Sequence, residues 1–474
     1  MNWAIALPEI VLSVVAMAIL IFGVLRRDDS FFLSSMFALG AFLLAALLVL
    51  TSSRGIGYHG QFVADAFSSF VKILVLAGAA LALILSLDYN RKNNIARFEY
   101  PVLMLLSVTG MMVMASAANL MTLYLGLELQ SLALYVLAAF ARDDVRSSEA
   151  GLKYFVLGAL ASGLLLYGIS LVYGFSGTMD FAALARTLTR PENASPGLIV
   201  GIVFVLVGLA FKIAAVPFHM WTPDVYQGAP TSVTVFFSTA PKVAAFALLL
   251  RTMATPFGHL LIAWQDLIVL MSVASMLLGS LAAIGQRSIK RLMAYSSIGH
   301  MGYALIGLAA GTPEGIRGVL IYLIVYVFMS AGTFACIIAM SRRGRSLEQI
   351  SDLSGLARTD PGLALAMAVF MFSMAGIPPL SGFFGKLYVF LAAVQTGMWA
   401  LAIIGVLTSV IGAYYYLRVV KIMYFDAPEA PFDPRPASLS FVAAASGLFT
   451  TFFFVFPAPF VGAAQAAAKV LFGS

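Results

Sequence analysis

The stretch GIPPLSG, residues 376–382, interrupts an apolar segment that extends from 361 to 396. A helix over the whole segment would be about 54 Å long at 1.5 Å per residue, and the core of a bilayer is only roughly 30 Å thick. Its two consecutive prolines lack the backbone donors that a helix needs. A helix broken at membrane depth is tolerated only inside the protein or beside a wet cavity. The stretch therefore predicts a membrane protein with a broken helix at an internal site.

The composition of the 474-residue chain indicates the same class. Hydrophobic residues make up 61% of the chain and charged residues only 10%, whereas soluble domains carry about 25% charged residues. A β-barrel would show short alternating segments instead of long apolar ones. We predict an all-α polytopic membrane protein with about fourteen transmembrane helices. The predicted spans are 4–25, 31–50, 64–87, 99–116, 118–140, 150–174, 197–217, 230–251, 262–284, 291–310, 317–340, 361–396, 398–425 and 437–458.

The basic residues lie mainly in the short loops on one side of these spans. With the N-terminus outside, seventeen lysines and arginines fall on the inner side and six on the outer side. This asymmetry places both termini on the outer side, and it fits a bacterial inner membrane. The formal charge of +7 is then explained by topology, and no nucleic-acid partner is expected.

The sequence offers no ligand set for a cofactor in this chain. Cys336 is the only cysteine, and the four histidines are scattered. An iron–sulfur cluster usually needs four ligands. We find no G-x-G-x-x-G and no P-loop. We therefore predict no cofactor and no metal bound by this chain.

Five basic residues belong to neither loop count because they lie inside apolar segments, and all five are lysines. Glu128, in YLGLELQSLALYVL (124–137), is the acidic residue that lies deep in a segment. A buried lysine can release its proton, whereas arginine stays protonated, and intramembrane ionisable residues are functional candidates by default. The lysines are Lys72, Lys153, Lys212, Lys242 and Lys386.

A structural role competes with proton transfer at several of these positions. Lys242 lies about 18 Å along its predicted helix, so its stem can hardly reach water. Lys72 is near the outer end of its span, and snorkelling to the interface is favoured there. Lys153 is near the inner end, where snorkelling and function are equally acceptable. His219 and His300 either relay protons or pack as satisfied core residues.

The first half of the chain contains a second interruption, VPFHMWTPDVYQGAP (216–230). The preceding FKIAAVP (211–217) aligns with FSMAGIP (372–378), with Phe, Ala and Pro identical. Paired interruptions at corresponding places in two halves of a chain point to the site of a transporter. The sequence therefore predicts that helices seven and twelve are broken beside a proton or ion path.

Several of these stretches together resemble one family. They are LYLGLELQSLALYVLAAF, AGLKYFVLGALASGLLLYG, FKIAAVPFHMWTPDVYQGAPT, APKVAAF, AYSSIGHMGY and AGIPPLSGFFGK. They are similar to the subunit N family of NADH–quinone oxidoreductase, respiratory complex I, over residues 4 to 458. The resemblance implies two inverted five-helix repeats, helices 4–8 and 9–13. The expected division is 1–98, 99–251 for the first repeat, 262–425 for the second, and 437–474.

The resemblance also implies a function and roles for the residues. The chain is expected to translocate protons, driven by electron transfer from NADH to a quinone such as ubiquinone. Glu128 and Lys212 would form a switching pair, Lys242 would relay, and Lys386 would couple onward. Lys153, His219 and His300 are further candidates for the same axis.

Partners and alternatives follow from the same resemblance. The expected partners are the antiporter-like subunit M, small subunits such as K, lipids and protons. FMN and iron–sulfur clusters are expected in partner subunits. One alternative is an Mrp-type subunit that exchanges Na⁺ for protons. The other is a structural subunit whose polar axis is idle.

Overall fold

A computed structural model describes residues 3–26, 30–189 and 195–472 as a bundle of long helices. Arg27 and Arg190, which enter the count of basic residues, lie outside the described residues. The N-terminal region begins with two helices, a short hairpin and a third helix. Its elements are α1 Leu7–Leu25, α2 Phe31–Thr51, β1 Gly55–Gly57, β2 Phe62–Ala64 and α3 Ala66–Lys92.

The next region carries the first break. Its helices are α4 Glu99–Ala115, α5 Leu120–Ala138, α6 Val145–Ser176, α7 Phe181–Thr187, α8 Pro196–Ile213, α9 Trp221–Gly228, α10 Thr231–Ser238 and α11 Ala240–Ala254. The break that the prolines predict lies between α8 and α9. A second interruption, at Thr239 between α10 and α11, has φ −113° and ψ −97°. The predicted span 230–251 does not include this interruption, although Pro241 stands in the first turn of α11.

The remaining region carries the second predicted break. Its elements are α12 Leu261–Ile284, α13 Ile289–Ala309, α14 Pro313–Ala339, β3 Ser341–Arg342, β4 Arg345–Ser346, α15 Leu356–Thr359, α16 Pro361–Ala375, α17 Ser381–Gln395, α18 Trp399–Phe425, α19 Ala437–Phe452 and α20 Ala458–Val470. The break lies between α16 and α17. Helix α20 is not among the predicted spans, the last of which ends at 458.

Ten helices in the described residues are long and apolar enough to cross a membrane. Helices α4, α16 and α19 are shorter apolar helices. The multi-pass all-α prediction is therefore confirmed, and this order of elements is compatible with fourteen crossings. The division into four regions and the inverted repeats stay predictions.

The two breaks end their first helices in the same conformation. Ala214 caps α8 with φ 61°, and Gly376 caps α16 with φ 91°, both in the left-handed region. Val216–Pro217 and Pro378–Pro379 are cis peptide bonds. These landmarks pair Ala214 with Gly376, so the sequence alignment of 211–217 with 372–378 is wrong by one residue. The three identical residues favoured that alignment, whereas the positions of the helix ends give the structural alignment of the two breaks.

The chain presents two faces to the membrane surfaces. We call the end at which α1 begins the N-terminal face, and the end at which α1, α3 and α18 finish the basic face. On the basic face, Lys92 Nζ at the end of α3 donates to Asp433 Oδ2 at 3.0 Å and to Ser341 Oγ at 2.8 Å. Between the faces, α10, α11 and α14 are almost entirely buried. They form the centre around which the two broken helices pack.

Candidate functional site

Lys212 lies at the end of α8, immediately before the first break, and its side chain is buried. Its Nζ donates to Ser131 Oγ at 2.7 Å and to Tyr135 OH at 3.3 Å, both on α5. Left-handed Ala214 stops the helix two residues later and exposes the backbone carbonyls of the last turn. The ammonium is therefore held by hydroxyl oxygens, beside a helix end whose Phe211 and Ile213 carbonyls accept hydrogen bonds from Trp221 and Lys242.

Glu128 lies on α5 one turn before Ser131. Ser162 on α6 donates a short hydrogen bond to Glu128 Oε1, and Ser162 Oγ lies 3.4 Å from Tyr124 OH. Among the described residues no ion pair joins Glu128 to Lys212. The pairing of Glu128 with Lys212 stays a prediction. Ser131, which contacts Lys212, lies three residues after Glu128 on the same side of α5.

Lys242 lies in the first turn of α11, directly after the interruption at Thr239. Its Nζ donates to the carbonyl of Ile213 at 3.0 Å and lies 5.5 Å from the ring centroid of Trp221. The residue is only 1% exposed. Ile213 follows Lys212 in the chain, so the first break brings the two lysines against the same backbone segment. Snorkelling does not fit this position.

Lys386 occupies the second break in a similar way. Its Nζ donates to the carbonyls of Met374 and Ala375 at 3.0 and 3.1 Å, and to Ser409 Oγ at 2.8 Å. In the register set by the helix ends, Ala375 corresponds to Ile213, the acceptor of Lys242. A cavity of about 320 Å³ lies against Lys386 and Ser409 and is otherwise mainly apolar. Each break therefore offers a backbone carbonyl to one buried lysine.

His300 joins a cluster of hydroxyl groups on α13, α14 and α18. Its Nδ1 lies 2.6 Å from Tyr322 OH, and its Nε2 lies 3.1 Å from Tyr416 OH. Tyr416 OH in turn lies 2.5 Å from Ser296 Oγ. These two tyrosines are not predicted, because the sequence gives no sign of which tyrosines face the histidine.

Lys153 opens to the basic face, and its side chain is 42% exposed. Its Nζ lies 2.8 Å from Asp224 Oδ2 on α9 and 2.7 Å from Glu149 Oε1. Arg291 on α13 reaches the other oxygen of Asp224 at 2.6 Å. These four residues and Gln227 surround or adjoin a cavity of about 270 Å³. Lys153 thus has the water contact that snorkelling requires, and it also has carboxylate partners.

Two sequence-predicted residues have different surroundings from those expected. His219 lies in the first break, and its Nδ1 is buried with no hydrogen-bond partner among the described residues. No described contact joins it to the lysines. Lys72 does not snorkel: it is 3% exposed, and its Nζ lies 2.6 Å from Glu9 Oε1. The snorkelling prediction is wrong because Glu9, on a helix 63 residues earlier in sequence, supplies a buried counter-ion.

The described part of the chain has no group of three or more His, Cys, Asp or Glu residues placed to hold a metal ion. The site instead consists of lysines and a glutamate held by hydroxyl and carbonyl oxygens. Such groups can bind, pass on and release protons, but they do not carry electrons.

Known proteins are similar to this chain in sequence and in fold. Residues 117–412 match the family described as NADH:quinone oxidoreductase/Mrp antiporter, TM. The NADH-quinone oxidoreductase subunit N of Granulibacter bethesdensis is 67% identical, with 99% of this chain and 100% of that protein covered. The subunit N of Gluconacetobacter diazotrophicus is 61% identical, with all of both chains covered.

Two solved structures have the same fold. A chain of respiratory complex I from Thermus thermophilus superposes with a TM-score of 0.84 at 34% identity, covering 97% of this chain and 99% of that one. A chain of the Mrp complex from Dietzia superposes with a TM-score of 0.86 at 24% identity, covering 100% of this chain and 98% of that one. At that identity the Mrp likeness concerns the fold alone.

Proposed function

Because this chain belongs to the subunit N family of NADH-quinone oxidoreductases, we propose that it is a proton-translocating membrane-arm subunit of that enzyme. Electron transfer from NADH to a quinone takes place in other subunits, where FMN and iron–sulfur clusters would reside. This chain receives the resulting change of charge at one flank. It responds by moving protons along the row formed by Glu128, Lys212, Lys242 and Lys386.

One observation carries this proposal. Lys212, Lys242 and Lys386 are all buried, and each ammonium donates hydrogen bonds only to hydroxyl or carbonyl oxygens among the described residues. No carboxylate of the described chain lies within ion-pair distance of them. A lysine can hand on its proton from such a site, whereas arginine cannot. A buried lysine that serves only structure would be expected to keep a counter-ion, as Lys290 does with Glu348.

The contacts at the first break couple one end of the row to its centre. Ser131, which contacts Lys212, lies one turn after Glu128 on α5, so a change of charge at Glu128 acts on the surroundings of Lys212. Lys212 and Lys242 share the backbone segment at the first break, because Lys242 binds the carbonyl of Ile213. A proton shift at Lys212 therefore acts on Lys242 at short range.

His300 stands between the two breaks in the chain of contacts. Its partners Tyr322 and Tyr416 lie on α14 and α18, which also pack against the second broken helix. Tyr303, one turn after His300, faces Lys386, whose Nζ lies 4.8 Å from the Tyr303 ring centroid. This cluster gives protons a polar surrounding between the centre of the bundle and Lys386.

Proton entry is best assigned to the basic face. The cavity lined by Lys153 and Asp224 lies at the basic face, beside α9, the helix that follows the first break. We assign the basic face to the cytoplasm and both termini to the periplasmic side, since basic loops stay inside. The chain would lie in the bacterial inner membrane beside other complex I subunits, with subunit M and small subunits such as K as proposed neighbours.

The proposal is tested with Glu128→Gln in the assembled enzyme. Proton uptake per NADH oxidised is measured in inverted membrane vesicles and normalised to the amount of assembled complex. We expect a lower ratio with normal assembly, because the neutral amide cannot change charge. A native ratio at native assembly would contradict the proposal.

Sodium dependence separates this function from Na⁺/H⁺ exchange, which the Mrp-like fold would also accommodate. The same vesicles are assayed with potassium replacing sodium. Unchanged proton uptake supports direct proton translocation. Uptake that requires Na⁺ would favour the antiporter alternative.

A further inference from the structure

A buried ion pair lies apart from the row of lysines. Lys72 on α3 and Glu9 on α1 are 2.6 Å apart, and both side chains are more than nine-tenths buried. They lie near the N-terminal face, since Glu9 is the third residue of α1 and Lys72 the seventh of α3. The proposed function gives this pair no role.

The Glu9 carboxylate is incompletely satisfied. Its Oε1 lies 2.6 Å from Lys72 Nζ as an ion pair, but both carboxylate oxygens are buried without a hydrogen bond of good geometry among the described residues. Buried polar atoms without a protein partner usually bind ordered water. The ring of Phe62, from the β1–β2 hairpin, lies 4.9 Å from Lys72 Nζ and covers the pair on the N-terminal face. The carboxylate therefore has a free acceptor oxygen just below one aromatic side chain.

In the neighbouring ion pair of Asp65 with Arg251, by contrast, both oxygens of the carboxylate have hydrogen-bond partners. Asp65, two turns before Lys72, accepts two hydrogen bonds from Arg251 on α11 at 2.8 and 2.9 Å and one from the Ser68 N–H at 2.7 Å. Burial raises the pKa of Asp65, but the Arg251 guanidinium and the Ser68 N–H outweigh burial and hold that pKa below its ordinary value. Asp65 thus has partners for both of its oxygens, whereas the buried oxygens of Glu9 have no hydrogen bond among the described residues.

The pair lies close in depth to Lys242. Helix α3 contacts the interruption between α10 and α11, where Thr239 Oγ1 lies 3.5 Å from the carbonyl of Gly78. Along α3, Lys72 lies six residues from Gly78 toward the N-terminal face, or about 9 Å at 1.5 Å per residue. Along α11, Lys242 lies three residues from Thr239 in the same direction, or about 4.5 Å. On two helices in contact, Lys72 is therefore the next titratable residue beyond Lys242 in the direction of the N-terminal face.

The elements packed around α3 carry few other ionisable groups at this face. Arg251 is engaged by Asp65, and the ion pair of Lys72 is formed with Glu9. On the helices packed against α3, the other ionisable groups at this face are Arg251, Glu314, Arg317 and Lys469. Arg54 and His59 lie between α2 and α3, and Asp180, Arg186, His259 and Asp266 lie elsewhere at this face.

We propose that Glu9 and Lys72 form the proton-release site of this subunit on the N-terminal face. The inference rests on the proposed function and adds to it an exit from Lys242. A proton leaving the interior binds Glu9 Oε2 and neutralises the carboxylate, which weakens its attraction to Lys72. The same proton then passes to water at the N-terminal face, and the carboxylate and the ion pair re-form. One proton enters the pair and one leaves it in each cycle.

A static ion pair is the competing hypothesis, and the two make different predictions. A buried pair that serves only structure can be replaced by neutral side chains of similar shape with little effect, whereas removing one partner is damaging. A release site loses its function with the neutral double replacement, however well the protein folds.

The test uses Glu9→Gln/Lys72→Met in the assembled enzyme. Proton uptake per NADH oxidised is measured in inverted vesicles, and assembly is measured by native electrophoresis. The matched control is Asp65→Asn/Arg251→Met, which removes the neighbouring ion pair between α3 and α11 at the N-terminal face. We expect the first variant to lose this subunit's share of the uptake ratio, and the control to keep the native ratio in the complexes that assemble.

Lys72→Arg keeps the ion pair and serves if the double variant fails to assemble. A permanently charged guanidinium holds Glu9 ionised, so we expect a lowered ratio at native assembly. A native ratio in both Glu9/Lys72 variants, or an equal loss in the control, would overturn the inference. Lys242→Ala is measured in parallel: if it alone loses uptake, the release site is wrong while the proposed function stands.

Discussion

Replacing Ser131 with alanine removes the closest partner of the Lys212 ammonium. The hydroxyl lies 2.7 Å from Lys212 Nζ, and the remaining contact, to Tyr135 OH, is longer at 3.3 Å. A hydrogen bond to a charged group contributes about 1.5–3 kcal/mol. Since about 1.36 kcal/mol corresponds to a factor of ten, the balance between charged and neutral Lys212 would change roughly 10- to 150-fold. A change of that size would uncouple Lys212 from events at Glu128.

The assay compares Ser131→Ala with Ser35→Ala in assembled enzyme. Ser35 is also buried in a helix and its hydroxyl donates to the carbonyl four residues earlier, at 2.8 Å, as Ser131 does at 2.6 Å. Of the two serines, only Ser131 contacts a lysine. We expect NADH-driven proton uptake to fall in Ser131→Ala and to stay native in Ser35→Ala. Native uptake in Ser131→Ala, or an equal loss in both variants, would show that the Ser131 hydroxyl does not control Lys212.

Two further predictions concern the second break and the basic face. A Cβ at Gly382 would lie 1.9 Å from the carbonyl oxygen of Ser373, so Gly382→Ala should separate α16 from α17 and lower stability by about 1–3 kcal/mol; assembled complex on native gels should decrease, while Gly163→Ala, in open space, should be neutral. The N–H groups of Gly344 and Arg343 and the Lys92 ammonium lower the pKa of Asp433 from 3.8 to about 2. Because the folded-state pKa of Asp433 is depressed, this stabilisation is present above about pH 4 and is lost as the pH falls toward about 2. Hydrogen exchange should show that the Gly344 amide is protected at about pH 5 and unprotected at about pH 2. In Asp433→Asn, that protection should already be lost at about pH 5.

The broken helices could be predicted from sequence because their cause is local. Proline at Pro217, Pro378 and Pro379 disrupts a helix whatever surrounds it. The burial of Lys212, Lys242 and Lys386 also follows from their place in apolar segments, and all three residues are buried in the structure.

The partners of these residues could not be predicted, because they depend on how each helix is rotated about its axis. A nearly uniform apolar helix carries little pattern to define that rotation. Ser131 therefore could not be identified as the hydrogen-bond partner of Lys212. Glu9 could not be identified as the partner of Lys72 for the same reason, since nothing in sequence links α1 to α3 across 63 residues. The interruption at Thr239 does have a local signal, Pro241, which the predicted span 230–251 does not take into account.

The family could be predicted because several sequence motifs along the chain point to it together, not one break or one lysine alone. The residues around Glu128 and the break at 376–382 resemble subunit N, and relatives of 67% and 61% identity confirm that family. The roles of the individual lysines remain predictions, since relatives and fold do not test them.

Lys242→Arg separates proton transfer through the lysine row from a requirement for charge alone. Arginine keeps the positive charge and most of the volume of lysine, but it does not release its proton. The measurement is proton uptake per NADH oxidised in inverted vesicles, normalised to assembled complex. We expect native assembly with a lowered ratio. A native ratio would show that Lys242 is needed only for its charge or its packing, and would contradict translocation through the lysine row.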